Sequence, residues 1–396
     1  MKRFRKMFLI ILAILIILGT GLFAFAPHPP AAPKQVRNVP EMETYLDQLV
    51  ESGNPPGLSI VVVKDGRIVY NCAFGYADKP RGEKSTPETV YHWWSMTKIS
   101  TAIAVMQLQQ QGKLSLDDAV TKYLPWFEVK YPSNKASGIT VRNLLQHSSG
   151  LPDTIPAMIG WVHYDDATRN QTEIVKNHLP KYNTLKFEPG EKAAYSNFNY
   201  MVLGAIIESV TGQSYEEYIT NNLLGPLDMH QTSFVYTPEM AEHEAAGTLP
   251  VVHFYTPLLP TLLDPGALVR ERQGKLLWLN RVYIDATPST GLIGSAPDVA
   301  RLMMAYLNDG ILDGNRILDP ESVTTLTETA SIDGYGLGWF KGEFNNSRFL
   351  EHAGGGPGFA TIMRLYPERG LGITVLANGT DLDRQGLVEL LSQLYW

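Results

Sequence analysis

The sequence is poor in cysteine, in clustered positive charge and in the local signatures of two common hydrolase classes. Its only cysteine, Cys72, excludes an internal disulfide and lies in an apolar run, which predicts a buried structural thiol. The net charge of −7, with no run of Lys or Arg beyond residue 6, argues against a nucleic-acid-binding surface. The sequence contains neither Gly-x-Ser-x-Gly nor His-Glu-x-x-His. It therefore lacks the signatures of the α/β-hydrolase elbow and of a zinc hydrolase.

The amino terminus carries the one long apolar run. Residues 7–26 are twenty residues without a charge, directly after four basic side chains, which predicts a membrane anchor with its amino terminus inside. A cleaved signal peptide is the alternative, because Ala24-Phe25-Ala26 resembles a cleavage site. We favour the anchor, since the run is longer than a typical signal-peptide core and Pro27 would follow the cut. Either way we expect the rest of the chain to lie outside the cytoplasm, with residues 27–38 as a Pro-rich spacer.

Strand patterns occur at both ends of the remaining chain, residues 39–396. Two β-rich runs, residues 58–63 and 68–74, are joined by Lys64-Asp65-Gly66-Arg67, which predicts a hairpin. Further strands are predicted at residues 336–340, 348–351, 361–366 and 372–376. Amphipathic patterns predict a first helix over residues 42–50 and a last one over residues 384–395.

Between these ends, residues 116–285 show few strand signals. The clearest helical patterns there lie at residues 140–146 and 198–210, and residues 297–307 follow beyond it. The apolar, proline-broken run 251–263 predicts a packed loop, with a flap over a site as the alternative. We therefore predict an α+β fold. One antiparallel sheet, built from about 39–115 and 286–396, is flanked by the first and last helices, and about 116–285 form an inserted, mostly helical lobe.

The first candidate for chemistry is Ser95-Met96-Thr97-Lys98, at the start of a predicted helix that Gly112 ends. Helix positions three apart share a face, so the Lys98 amine can reach the Ser95 hydroxyl. A serine needs a neighbouring base to become a nucleophile, and a desolvated lysine can serve. The helix start also offers backbone N–H groups to a developing oxyanion.

The second candidate is Tyr195-Ser196-Asn197, after the turn at Pro189-Gly190. Side chains at i and i+2 of an extended segment point to the same side. A lysine ammonium near Tyr195 would favour the phenolate, which makes Tyr195 a candidate proton shuttle. Asn197 can hold either Lys98 or a substrate amide.

The third candidate is His352-Ala353-Gly354-Gly355-Gly356, at the end of a predicted strand. Glycines let a substrate lie against the backbone and allow N–H groups to point at it. The alternative is a glycine-rich turn with an exposed histidine.

Together and in this order, the three motifs resemble those of the class C β-lactamase and penicillin-binding-protein-like serine hydrolases. Further stretches that resemble the family lie at residues 143–152, 225–229, 291–295 and 335–339. The resemblance runs from about residue 40 to the end and is weakest over residues 236–285. It implies a β-lactamase/transpeptidase-like fold and a mechanism that needs no metal or organic cofactor.

The resemblance also implies a role for each residue. Ser95 would be the acylated nucleophile, and Lys98 would be its base or the group that tunes it. Tyr195 would share proton transfer, either deprotonating Ser95 or protonating the leaving group. Asn197 would hold Lys98 and the substrate amide. The backbone N–H groups of Ser95 and Gly355 would form the oxyanion hole beside His352 and Gly354.

One departure from the family concerns His352, because true β-lactamases of this type have a lysine there. Histidine is mostly neutral at pH 7, so weaker carboxylate recognition is expected, and esterase, D-aminopeptidase and other peptidase members fit better. We expect an extracytoplasmic serine hydrolase that acts through a Ser95 acyl-enzyme on an amide, peptide or ester. A carboxylesterase is one alternative, and a non-catalytic protein that binds cell-wall-like ligands is another. The expected partners are a small-molecule or peptide substrate and, through the amino-terminal segment, the membrane.

Overall fold

The computed structural model describes residues 30–133, 138–153, 161–253, 256 and 264–396. Its α-helices are Val39–Glu51 (α1), Thr97–Gln110 (α2), Val120–Tyr123 (α3), Val141–Leu145 (α4), Gln171–Tyr182 (α5), Asn197–Thr211 (α6), Tyr215–Ile219 (α7), Pro238–Ala241 (α8), Pro265–Leu268 (α9), Thr287–Thr290 (α10), Ala296–Leu307 (α11), Pro320–Glu328 (α12) and Arg384–Ser392 (α13). Short 3₁₀ turns lie at Trp94–Met96 and Pro367–Arg369, and a π turn lies at Thr220–Leu224.

The strands of the described chain are mostly short in the middle and long at both ends. They are Gly57–Lys64 (β1), Arg67–Asp78 (β2), Glu83–Lys84 (β3), Val90–His92 (β4), Val162–His163 (β5), Thr232–Ser233 (β6), Thr248–Pro250 (β7), Val269–Gln273 (β8), Leu276–Leu279 (β9), Tyr283–Ile284 (β10), Ile293–Ser295 (β11), Ile311–Leu312 (β12), Asn315–Arg316 (β13), Phe340–Phe344 (β14), Ser347–Gly356 (β15), Phe359–Tyr366 (β16) and Leu371–Ala377 (β17).

The main sheet joins the two ends of the domain. Its seven strands run in the order β14-β15-β16-β17-β1-β2-β3, and its strand pairs are antiparallel. β1 pairs with β17 in a register that sets Leu58 opposite Ala377 and Lys64 opposite Leu371. The predicted α+β fold, with one antiparallel sheet drawn from both ends of the chain, is confirmed.

Each face of this sheet is covered by helices, because successive side chains of a strand point to opposite faces. Ile60 and Val62 of β1 belong to a cluster with the apolar faces of α1 and α13. Val61 and Val63 belong to the larger core, which also contains α2, α6 and α11. The predicted flanking helices are therefore confirmed, although α13 ends at Ser392 rather than at residue 395.

Two strand predictions need correction. Residues 336–340 do not form a strand, since only Phe340 belongs to β14. Gly338 adopts a left-handed φ of 81°, and a Cβ there would clash with Ala102 of α2, so this segment is a loop pressed onto the helix. The stretch 116–285 contains more strand than expected: β7, β9 and β8 form a three-stranded sheet.

Other expectations have different outcomes. Cys72 lies in β2 as predicted but is half-buried rather than buried. Most of the run 251–263, and the predicted anchor at residues 7–26, lie outside the described residues. In the part of the chain that is described, no helix has the length and apolar character needed to cross a membrane.

Candidate active site

Ser95 lies at the centre of the short 3₁₀ turn Trp94–Met96, which leads directly into α2. The preceding residue, Trp94, has a φ of 49°, a left-handed conformation that is uncommon and strained for a bulky side chain. The Trp94 ring covers Gly356 of β15, where a Cβ would lie 2.6 Å from the indole. Ser95 is 8% exposed, so its hydroxyl lies at the edge of the core.

Lys98, one turn further along α2, is fully buried beneath Ser95. Its Nζ lies 3.1 Å from Ser95 Oγ, 2.7 Å from Asn197 Oδ1 and 3.0 Å from the Ser289 carbonyl oxygen. Burial lowers the pKa of Lys98 well below its ordinary value, and the negative charge of Asp153 opposes this shift. A neutral amine has two N–H groups and one lone pair. The two carbonyl oxygens can take the N–H groups, which directs the lone pair at the Ser95 hydroxyl.

The Ser289 carbonyl is held at Lys98 by close helix packing. Gly204 of α6 allows this approach, because a Cβ there would clash with the ring of Pro288 in α10. Thr101 of α2 donates a hydrogen bond to the Pro288 carbonyl at 2.6 Å. α10 is thus fixed between α2 and α6.

Tyr195 donates a hydrogen bond to Ser95 Oγ at 2.8 Å. Its ring packs 4.5 Å from His147 and stacks 6.2 Å from Phe340, as measured between centroids. Burial raises the pKa of Tyr195 well above that of a free phenol, so the expectation of a favoured phenolate is wrong. The desolvation of the phenolate outweighs any favourable charge nearby, and Tyr195 is a neutral donor at pH 7.

Asn197 begins α6, which ends at Thr211 and is capped by Gly212 with a left-handed φ of 72°. Asn197 Oδ1 accepts from Lys98, while its Nδ2 donates to Asp153 Oδ2 at 3.2 Å. His147, a buried residue on the neighbouring turn, accepts the backbone N–H of Ser196 on Nδ1 at 3.1 Å. Ser95, Lys98, Tyr195 and Asn197 therefore form one connected network.

The third motif lies inside β15 rather than in a turn, which corrects the turn interpretation. The pairing of β14 with β15 ends at Glu351, so within the described chain one edge of residues 352–356 has no strand partner. At Gly354 a Cβ would clash with the Trp93 carbonyl oxygen, which also accepts a hydrogen bond from Thr361 at 2.8 Å. A glycine at this position is what allows β15 to approach the Ser95 turn.

His352 is 2% exposed, which also excludes the exposed histidine considered above. Burial lowers the pKa of His352 to about 3, so the imidazole is neutral as expected. A cation nevertheless reaches this strand. Arg384, at the start of α13, donates to the Gly354 carbonyl, and its Nη1 lies 2.8 Å from where a Cβ on Gly355 would be.

Three contributors to this site were not found from the sequence. Ser289 acts through a backbone carbonyl, which leaves no residue-type signal. Arg384 lies in a helix whose sequence pattern identifies its apolar face but gives no sign that a polar residue reaches the site. Asp153 directly follows the family-like stretch 143–152, and that position was the available signal. Within the described chain, no cluster of three or more His, Cys, Asp or Glu side chains could hold a metal ion.

Known proteins share this sequence pattern and fold. Protein flp of Staphylococcus aureus (strain NCTC 8325 / PS 47) is 31% identical over 345 residues, which are 85% of this chain and 62% of that protein. The chain thus spans less than two thirds of that relative's length. Penicillin-binding protein 4* of Bacillus subtilis (strain 168) is 29% identical over 350 residues, covering 85% of this chain and 71% of that protein.

Solved structures agree. The octameric penicillin-binding protein homologue from Pyrococcus abyssi aligns with a TM-score of 0.70 and 28% identity, covering 89% of this chain and 76% of that one. D-amino acid amidase from Ochrobactrum anthropi SV3 aligns at 0.71 and 22% identity, covering 89% and 97%, and shows the same fold. The family model described as Beta-lactamase matches residues 42–392. The resemblance inferred from the three motifs is therefore confirmed, and the chain belongs to the β-lactamase family of serine hydrolases.

Proposed function

We propose that this protein hydrolyses an amide or peptide bond through an acyl-enzyme on Ser95. The observation that carries the proposal is the position of Ser95 Oγ, 3.1 Å from the buried Lys98 amine and 2.8 Å from the Tyr195 hydroxyl. One neighbour can accept the serine proton and the other can donate one. General acid–base catalysis by groups so placed contributes about 10²–10⁴-fold each.

In the proposed reaction, the neutral Lys98 amine removes the proton from Ser95 as Oγ attacks the substrate carbonyl carbon. The oxyanion forms beside the backbone N–H groups of Ser95 and Gly355. The C–N bond then breaks, and the leaving amine takes a proton from Tyr195, which Lys98 re-protonates. Water hydrolyses the ester on Ser95 and restores the free enzyme.

The neutral Tyr195 phenol supports an amide rather than an ester as substrate. An amine leaves only when it is protonated, whereas an activated alcohol leaves without a proton. The D-amino acid amidase with the same fold is consistent with an amide substrate. A carboxylesterase is the second candidate. It is favoured by His352, because this residue is neutral and supplies no charge for a substrate carboxylate.

The nucleophile is tested by intact-protein mass spectrometry after treatment with a fluorophosphonate. A Ser–O–P bond forms as fluoride leaves, so the parent gains the phosphonyl mass and Ser95→Ala does not. Ser100→Ala is the matched control, because Ser100 is a buried serine in α2, the helix that follows the Ser95 turn, and this variant should label like the parent. Labelling of Ser95→Ala, or none of the parent, contradicts the proposal. Ligand binding without any adduct would favour the non-catalytic protein.

The substrate class is tested with Tyr195→Phe on a D-amino-acid anilide and on a p-nitrophenyl ester of a short-chain acid. Amide turnover should fall about 10²–10⁴-fold, because the leaving amine loses its proton donor. Ester turnover should fall by a far smaller factor. Equal losses on both substrates, or parent activity confined to the ester, would favour the carboxylesterase. A persistent penicilloyl adduct on the parent would indicate a penicillin-binding activity.

We also propose that residues 1–26 hold the domain at the outer face of a membrane. Their twenty-residue uncharged run after four basic side chains supports this placement. Expression of the full chain should leave it in the membrane fraction after a carbonate wash, with residues 1–26 present in the intact mass. A soluble product that lacks these residues would identify a cleaved signal peptide instead.

A further inference from the structure

Asp153 lies next to the catalytic network but belongs to none of the three motifs. Its Oδ2 accepts a hydrogen bond from Asn197 Nδ2 at 3.2 Å. Asn197 Oδ1 in turn accepts from Lys98 at 2.7 Å, and Lys98 lies 3.1 Å from Ser95 Oγ. Two hydrogen bonds therefore connect a carboxylate to the amine that faces the nucleophile.

The chemistry of a carboxylate decides which end of the Asn197 amide faces Lys98. The oxygen and the NH₂ of an asparagine have nearly the same shape, so only their hydrogen-bond partners set the orientation. An ionised carboxylate accepts and cannot donate, so Asp153 holds the NH₂ end. The amide oxygen is then left for Lys98.

Hydrogen bonds fix the turn that precedes Asp153 against α6. Ser196 Oγ donates to the Pro152 carbonyl at 3.1 Å, directly before Asp153. Ser149 on the same turn donates to Asn199 Oδ1 at 2.6 Å. These bonds join the turn that carries Asp153 to Ser196 and to the first turn of α6, where Asn197 lies.

The second oxygen of Asp153 points to a role other than stability. Oδ1 is buried, and within the described residues it has no hydrogen-bond partner. A buried carboxylate oxygen without a partner is destabilising by about 1–3 kcal/mol or more. Such groups occur where function requires the charge.

We propose that Asp153 is a positioning residue, which fixes the Asn197 amide and thereby holds the Lys98 amine in line with Ser95. This inference concerns the site of the proposed function and rests on it for the catalytic consequence. Its physical content, the coupling of Asp153 to Lys98, is measurable without any turnover.

Asp153 also acts on the charge of Lys98. The titratable and charged groups around this amine are Asp153, His147, His352, Tyr195 and Tyr200, with Arg384 acting on His352 and Tyr195. Burial keeps both histidines and both tyrosines neutral at pH 7. Burial raises the pKa of Asp153, and the charge of Lys98 and the Asn197 hydrogen bonds oppose this shift. Asp153 is the one carboxyl in this set, and in its ionised form it favours the ammonium form of Lys98.

The decisive experiment is an NMR titration of the full chain, labelled with ¹³C at lysine Cε, with Lys98→Met to assign the resonance. In Asp153→Asn, which has nearly the same shape, the pKa of Lys98 should fall by about one pH unit. Asp153→Glu keeps the charge and should restore most of the shift. Asp319→Asn is the control for the loss of a hydrogen-bonded carboxylate elsewhere, because Asp319 accepts a hydrogen bond from the Ser322 backbone at the start of α12 and does not touch this network. An unchanged Lys98 pKa in a folded Asp153→Asn protein overturns the inference.

The catalytic consequence appears in the pH dependence of fluorophosphonate labelling. Above pH 8, Asp153→Asn should label more slowly by on the order of tenfold, since the Asn197 amide is no longer fixed. The acid limb of its profile should move to lower pH, so the ratio of variant to parent rate rises as the pH falls. A merely structural defect would lower the rate equally at every pH, which would also overturn the inference. Failure of the parent to label would refute the proposed function alone, because the NMR titration still decides the role of Asp153.

Discussion

The two sides of the candidate active site differ in the chemical groups that form them. The helical side, Ser95, Lys98, Tyr195 and Asn197, consists of polar side chains joined by hydrogen bonds of 2.7–3.1 Å. The strand side, residues 352–356 of β15, contains three glycines, of which Gly354 packs against Trp93 and Gly356 against Trp94. The helical side is equipped to move protons and the strand side to set shape. Substitutions should therefore damage the two sides in different ways, the first in rate and the second in stability and fit.

The largest effect is expected for Lys98→Ala on the helical side. Removal of the group that faces Ser95 Oγ at 3.1 Å should lower the fluorophosphonate labelling rate by about 10³–10⁴-fold. Lys98→Arg should not restore labelling, because a guanidinium stays protonated and cannot act as a base. Labelling is followed by mass spectrometry at pH 8, and circular dichroism checks that the variants fold. A Lys98→Arg protein that labels like the parent would show that the amine positions Ser95 rather than deprotonating it.

The next largest effect is expected for the buried ion pair that stabilises the strand side. Arg364, 1% exposed in its side chain, pairs with Glu351 at 2.6 Å directly before His352. Arg364→Met would leave this buried carboxylate with Gln385 as its remaining side-chain partner within the described residues. The free energy of unfolding should fall by about 3–5 kcal/mol, as measured by urea denaturation.

The double variant Glu351→Leu/Arg364→Met separates charge from packing. It leaves no unpaired charge, so it should be much more stable than Arg364→Met. If the double variant is as unstable as the single one, the contribution of Arg364 lies in packing, for instance on the Phe349 ring 4.0 Å away.

Two neighbouring glycines sharpen the comparison further. Gly354→Ala drives a methyl group into the Trp93 backbone, whereas Gly355→Ala meets only the end of the Arg384 side chain at 2.8 Å. Gly354→Ala should destabilise the protein by about 1–3 kcal/mol and displace the Ser95 turn, and Gly355→Ala should do less of both. Urea denaturation and labelling rates of the two variants check this order. Equal behaviour would mean that β15 adjusts freely, and the strand side would not be a shape-setting element.

The same difference explains how much of the site could be predicted from the sequence. Ser95, Lys98, Tyr195 and Asn197 carry their chemistry in their side chains, so their types and spacing were informative. The Ser289 carbonyl could not be found in this way, because every residue has one. The glycines were identified as important but interpreted as a turn, since a sequence does not show that a strand must approach a tryptophan backbone.

The fold follows a similar rule. The long apolar strands β1, β16 and β17 and the helices α1 and α11 were predicted, because burial on the sheet imposes a clear period. Residues 336–340 were misread, since their pattern reflects contact of a loop with α2. β7, β8 and β9 are three to five residues long, too short to show alternation.

The smallest expected effect is a loss of stability at acid pH, to which the helical side and the strand side should contribute in the same way. His147 on the helical side and His352 on the strand side are 3% and 2% exposed, and burial lowers the pKa of both below 6.5, that of His352 to about 3. Below pH 6.5 the imidazoles of the unfolded chain bind protons, whereas the two buried imidazoles of the folded protein stay neutral. Each should therefore remove up to about 1.4 kcal/mol of stability per pH unit as the pH falls. The raised pKa values of Glu216, about 7, and Asp298, about 6, act in the opposite direction, because those folded carboxyls bind protons first.

A difference measurement removes the carboxyl contribution from this titration. His147→Gln and His352→Gln are compared with the parent by urea denaturation between pH 8 and pH 5. Above pH 7.5 the curves should run parallel, because the imidazoles are neutral in both the folded and the unfolded chain. Below pH 6 each variant should lose stability more slowly than the parent. If the difference in unfolding free energy between variant and parent changes more steeply with pH for one histidine, that side of the site is the first to be destabilised by acid. Curves that stay parallel down to pH 5 would mean that neither imidazole is held neutral by burial.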